Sequence, residues 1–235
     1  MEELPTSHCY LTYDEVITKA QLIQPHFSAD LAHFSAFDSW YTSDIDTQLV
    51  SGIQTGMKDF PENSLIEAIN RIQDLLALKL AAARHCYEKL TYYVGTGFRD
   101  TAVTNETFGS SAFLEARSSA KKMIPLLKKA REAISKEGNH DRLLAVGMPE
   151  GLPQEMANIA AELDLVYGEL KILKKQHLLI TRERIELFNS LWDTLSKICD
   201  DAKIIFANDP ARLAIYELYD TEDSNQDQVE ELKIN

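Results

Sequence analysis

His26, Asp30 and His33 are the sharpest chemical constellation in this sequence, two imidazoles and a carboxylate at spacings of four and three. On a helix those spacings bring all three to one face, where they could hold a divalent metal. Trp40 falls seven residues after His33 on the same face. The competing reading is a polar outer face beside a Phe27/Phe34/Tyr41 stripe, with Asp30 pairing the histidines. Three potential ligands on one helix, without support elsewhere, make that the commoner outcome. His177 and Arg184 are the second pair of interest, because they interrupt an otherwise apolar seam. A buried charge is costly unless paired, so each should find a partner or face a cavity. They are the candidate small-ligand residues, weighed against a hinge, a helix end or a solvated overhang.

Other chemistries lack their parts. A ferritin-like di-iron centre needs Glu-x-x-His on two core helices. Here Glu137-Gly-Asn-His140 crosses a glycine turn, and His85 precedes Glu88 in the opposite order. Asp223-Ser-Asn225-Gln-Asp227 begins like an EF-hand loop, but Gln228 stands where glycine is needed and Ile234 where a bidentate glutamate is needed. Gly95-Thr-Gly97 has no third glycine and follows a helix, unlike a dinucleotide loop. No nucleophile elbow, zinc-protease signature or phosphate loop occurs. No catalytic residue and no cofactor is expected, and the sequence leans away from an enzyme.

The elements that position these residues are long amphipathic helices. The cleanest stripe is Phe113, Ala116, Ala120, Met123, Leu127, Ala130 and Ile134, a core-facing helical seam. Thr12 and Glu15 can form a capping box opening a short helix that Pro25 stops. From Phe27 a second stripe continues through Leu31, Phe34, Phe37, Tyr41, Ile45, Leu49, Ile53 and Met57, and Asp38–Asp46, weak in helix propensity, is where it would split. Ser64 and Glu67 form a second capping box for a helix to about Val94, with Leu65, Ile69, Ile72, Leu76, Ala83, Tyr87, Leu90 and Val94 as core. A helix from Glu106 or Ser110 to Glu137 should kink at Pro125. Residues 138–152 read as a loop with at most one helical turn. Gln154–Ala207 is either one helix of about 80 Å at 1.5 Å per residue or two that break near His177–Arg184. Leu213–Tyr219 should dock back.

The expected fold class is all-α: an antiparallel up-and-down bundle of four to five long helices with short N-terminal helices and a polar acidic C-terminal tail. Residues 1–219 would form a single helical-bundle domain. Within it, acidic N-terminal helices of 1–60 pack on a 61–207 core and 208–219 dock, while 220–235 form a mobile acidic tail.

Charge limits the partners. The 235 residues carry a formal charge of −13. Residues 1–60 hold nine acids against two bases, and 220–235 hold six against one. This argues against nucleic-acid binding, which needs a positive footprint. The basic stretches Arg117, Lys121, Lys122, Lys128, Lys129, Arg131 and Lys171, Lys174, Lys175, Arg182, Arg184 read first as solvated faces. They could also lie against the chain's own acidic segments, an acidic partner or an anionic lipid. Cys9, Cys86 and Cys199 are scattered and odd in number, which favours a reducing, cytoplasmic setting over a disulfide framework. The N-terminus lacks signal-peptide character, and no membrane span is expected.

The function expected is therefore that of a non-enzymatic helical bundle acting through an unknown protein partner or self-association, with Val229, Leu232 and Ile234 in the tail as a docking segment. The alternatives are a small-ligand or metal-binding bundle using His26/Asp30/His33 or His177/Arg184, and a membrane-acting protein of the pore-forming type. The latter's best apolar segment, Leu75–Ala83, is short and interrupted by Lys79.

Overall fold

The structure, a computed structural model, describes residues 4–58, 60–99 and 105–219. Among them there is no strand. The helices are α1 (Tyr13–Phe37), α2 (Ser43–Gly56), α3 (Glu62–Gly97), α4 (Ser110–Ala116), α5 (Ala120–Ile134), α6 (Asn139–Ala145), α7 (Leu152–Ile205) and α8 (Pro210–Leu213), with short 3-10 turns at Asn105–Phe108 and Ala214–Tyr216. The all-α, long-helix bundle class is borne out. The segment expected to be a mobile tail, with the Asp223–Asp227 and Val229–Ile234 stretches, lies outside the described residues.

The chain gathers into two compact units: a terminal unit, Met1–Pro61 with Leu178–Asn235, and a central unit, Glu62–His177. The terminal unit starts with the capping box read from the sequence. Thr12 Oγ1 accepts from the Glu15 amide at 3.3 Å, and the Glu15 carboxylate accepts from the Thr12 amide at 2.7 Å. Pro25 does not stop α1, contrary to the sequence reading. Its ring sits on the exposed side, and Val16, Ala20, Ile23, Phe27, Asp30 and Phe34 are buried on either side of it, so packing outweighs the lost backbone bond. The stripe does split where propensity is weak, at Asp38–Thr42. α2 then returns antiparallel to α1, held by Gln24 and Ser28 donating to the Asp46 carboxylate at 3.0 and 2.8 Å. Gly52 lets α2 approach α7 closely, since a Cβ there would stand 2.7 Å from Leu191 Cδ2. Phe27, Phe34, Tyr41, Phe206 and Tyr216 form an aromatic cluster with ring centroids about 5–6 Å apart. Tyr216 thus docks the segment after α8, as the sequence implied.

In the central unit α3 and the first part of α7 run antiparallel, with Lys79 and Lys89 facing Glu162 and Glu155. Its core joins Tyr87, Leu90, Phe108, Met123, Leu127, Ile134, Leu143, Met156 and Leu163. Four expectations need correction here. α3 begins at Glu62, so Ser64 lies inside the helix rather than at its cap. Leu65, Ile69, Ile72 and Leu76 are half-buried, and full burial on α3 starts at Ala83. The break in 110–134 falls at Arg117–Ser119, where Ser119 is extended (φ −139°, ψ 111°), while Pro125 is accommodated inside α5 on the exposed side. Two adjacent serines offer the backbone alternatives to helix, and the missing Pro25 and Pro125 amides are lost on solvent-facing sides. Residues 139–145 form a two-turn helix rather than a single turn.

α7 is one uninterrupted helix of 54 residues. Its stretch 171–187 has no fully buried residue. Rich in Leu, Lys, Arg and Glu, that stretch has the intrinsic propensity to stay helical where the seam turns polar.

Candidate functional site

The structure turns the His26/Asp30/His33 trio to different tasks. Asp30 points inward, only 6% exposed, and accepts the Tyr216 hydroxyl at 2.9 Å. Arg212 stands 3.5 Å from its second oxygen. His33 lies outside with Nε2 3.4 Å from the Arg212 guanidinium and its ring edge-on to Phe206, and His26 is exposed. Asp30 thereby anchors the α8 segment to α1. Burial first, then the Asp30 hydrogen bond, pushes the Tyr216 hydroxyl pKa above its ordinary value, so it stays a donor. Trp40 lies past the end of α1, not on its face. Among the described residues no group of three His, Cys, Asp or Glu side chains is gathered as a metal would require.

His177 and Arg184 each have a partner. His177 Nε2 faces the Glu62 carboxylate at 3.5 Å in the central unit. Arg184 lies over the Tyr13 ring at 4.9 Å in the terminal unit, and Tyr13 in turn stacks on Phe188. Three lysines of α5 meet acids of their own unit: Lys122 faces Glu115, Lys128 Asp164 at 3.9 Å and Lys129 Glu106 at 4.0 Å. Cys86 and Cys199 are buried, Cys9 is half-buried, and all three are free. Among the described residues no helix is long and apolar enough to cross a membrane.

Two features invisible in the sequence converge on α7 of the terminal unit. The first is a charged cluster. Lys197 Nζ donates to Asp38 at 3.0 Å and Asp201 at 2.8 Å and lies over the Trp40 and Tyr41 rings at 5.2 and 5.0 Å. Tyr41 also donates to Asp201. The Asp201 and Asp38 bonds hold the Lys197 ammonium above its ordinary pKa, whereas burial leads in raising the Tyr41 hydroxyl. This cluster fastens the α1–α2 turn to α7.

The second is an arm of residues 4–11, outside any helix, in which the Thr6 carbonyl and the His8 amide turn the same way toward α7, as in an extended strand. The Asn189 side-chain amide grips its backbone twice: Nδ2 donates to the Thr6 carbonyl at 3.0 Å, and Oδ1 accepts from the His8 amide at 3.3 Å. His8 Nε2 meets Asp193 Oδ1 at 2.9 Å, one turn further along. Beside this clamp an open groove of about 480 Å³ is lined by Trp40, Glu186, Asn189, Ser190, Asp193, Thr194 and Lys197. It adjoins a second of about 310 Å³ between α2 and α7 that shares Ser190 and Thr194. An amide that pairs with one carbonyl and one N–H of an extended strand reads backbone, so it accepts many sequences.

No protein-family model, no curated protein and no solved structure matches this chain. Sequence reasoning did not find Asn189, Asp193 or His8, because each clamp contact joins residues 181–185 positions apart and no local spacing announces it.

Proposed function

We propose that this protein is a non-enzymatic interaction module whose α7 face, Glu186 to Lys197, binds an extended polypeptide segment of a protein partner. The observation that carries this reading is the Asn189 clamp, which already holds such a segment in the chain's own arm. The groove beside it extends the surface a longer partner segment could use. The three free cysteines support a reducing compartment such as the cytoplasm.

Two neutral hydrogen bonds contribute about 1 kcal/mol each, and the packing of Cys9 and Leu11 against the core adds roughly 2 kcal/mol, so a short segment in trans binds weakly, with a Kd on the order of 1 mM. The resident arm competes at a high effective concentration. The test therefore uses the full chain with His8→Pro, which removes the amide donated to Asn189. Titration with a synthetic peptide of residues 4–11, followed by the NMR signals of the Asn189 side-chain amide, is expected to show saturable shifts. Asn189→Ala added to His8→Pro should weaken binding at least several-fold, read from backbone amides of Asp193 and Thr194. Absence of saturable binding to the His8→Pro chain at several times that concentration would overturn the proposal.

A further inference from the structure

Resting on that reading, we infer that the α7 site selects extended segments carrying a cationic side chain at the position His8 occupies. The clamp splits recognition between two residues. Asn189 takes backbone only, which every sequence provides. Asp193 is the position that reads a side chain, at 2.9 Å from the His8 imidazole. Asp193 is two-thirds exposed, so its carboxylate is open to a longer side chain arriving from solvent. Glu186, on the same side of α7 two turns earlier, lines the same groove and adds a second negative charge. Among the described residues Lys197 is the one base lining this groove, and its ammonium is held by Asp38 and Asp201. The groove's open charges are thus acidic where the arm's His8 sits. A lysine or arginine brings a permanent charge on a longer stem to the open Asp193 carboxylate, so a basic segment is a stronger occupant than the resident arm. The arm then acts as a placeholder that a basic partner segment displaces.

Three peptides of residues 4–11 titrated into the full His8→Pro chain test this: one with histidine at position 8, one with His8→Lys and one with His8→Glu. The lysine peptide is expected to bind about three- to ten-fold more tightly than the glutamate peptide, the range of an exposed ion pair set against a like-charge contact. Asp193→Lys in the chain should reverse that order, with helical content by circular dichroism unchanged. Equal affinities for all three peptides, or an order that Asp193→Lys leaves intact, would overturn the inference while leaving the Asn189 clamp standing. Failure of every peptide to bind would instead remove the site itself.

Discussion

Among the described residues of the terminal unit, the buried carboxylate of Asp30 has named partners, and they decide what a substitution does. Asp30 is satisfied by Tyr216, so Tyr216→Phe leaves a buried carboxylate oxygen short of a donor. It should cost about 1–3 kcal/mol in denaturant unfolding, whereas His26→Ala on the exposed face should cost under about 0.5 kcal/mol. The thiols divide by burial. Burial pushes Cys86 up to about 11 and Cys199 to about 12 from 9.0, and raises half-buried Cys9 less. Iodoacetamide at pH 8 should therefore label Cys9 first and Cys199 only on unfolding, with mass spectrometry as readout; prompt labelling of Cys199 would contradict its burial. These same groups set an alkaline limit. Folded Cys86, Cys199 and Tyr87 keep their protons to about 11, 12 and 12, while the unfolded chain loses them from 9.0 for thiols and 10.0 for phenols. Their contribution to stability is full below pH 9 and lost between pH 9 and 12, so the thermal midpoint should fall across that window. Of the residue scale, the sequence showed which polar residues sit in apolar stripes, but not their partners. Arg184 stood out as a polar break in an apolar seam, whereas Asp30 was read on a polar outer face beside the Phe27/Phe34/Tyr41 stripe and is buried instead; Tyr216 and Tyr13, which engage the two, come from distant segments.

At the scale of elements, helix existence was legible and helix ends less so. The capping box at Thr12 closes as read, because both its partners are local. Pro25 was read as a stop because proline's cost is local too, whereas the burial that outweighs it is tertiary. Two glycines make the contrast testable. Gly52 touches Leu191, so Gly52→Ala forces α2 and α7 apart and should cost about 1–3 kcal/mol despite better helix propensity. Gly168 has nothing within 4 Å of where its Cβ would stand, so Gly168→Ala should stabilise by about 0.5–1 kcal/mol. Thermal melts of the two variants should shift in opposite directions. Along α7, amides of 171–187 lack any fully buried neighbour on their own stretch, and they should exchange with deuterium faster than those of 156–170 or 188–202. Equal protection along the helix would show that the half-buried residues there pack as firmly as the core.

At the scale of the molecule, composition and periodicity were enough for an all-α class, since few breakers and repeated 3.6-residue stripes leave little else. The candidate site was not legible at all: it is built by an arm and a helix face brought together from opposite ends of the chain. The terminal unit is correspondingly discontinuous, and this has a consequence for biosynthesis. Residues 1–61 leave the ribosome long before Leu178–Asn235 exist, with the 116 residues of the central unit between them. At 5–20 residues per second the delay is on the order of ten seconds. Throughout it the stripe of Val16, Ile23, Phe27 and Phe34 lacks Leu195, Phe206 and Tyr216, the residues that later cover it. The contiguous central unit can fold during that wait. The nascent N-terminus is thus a ready client for chaperones, and nascent chains arrested near residue 177 should be captured by them more than chains arrested after residue 219.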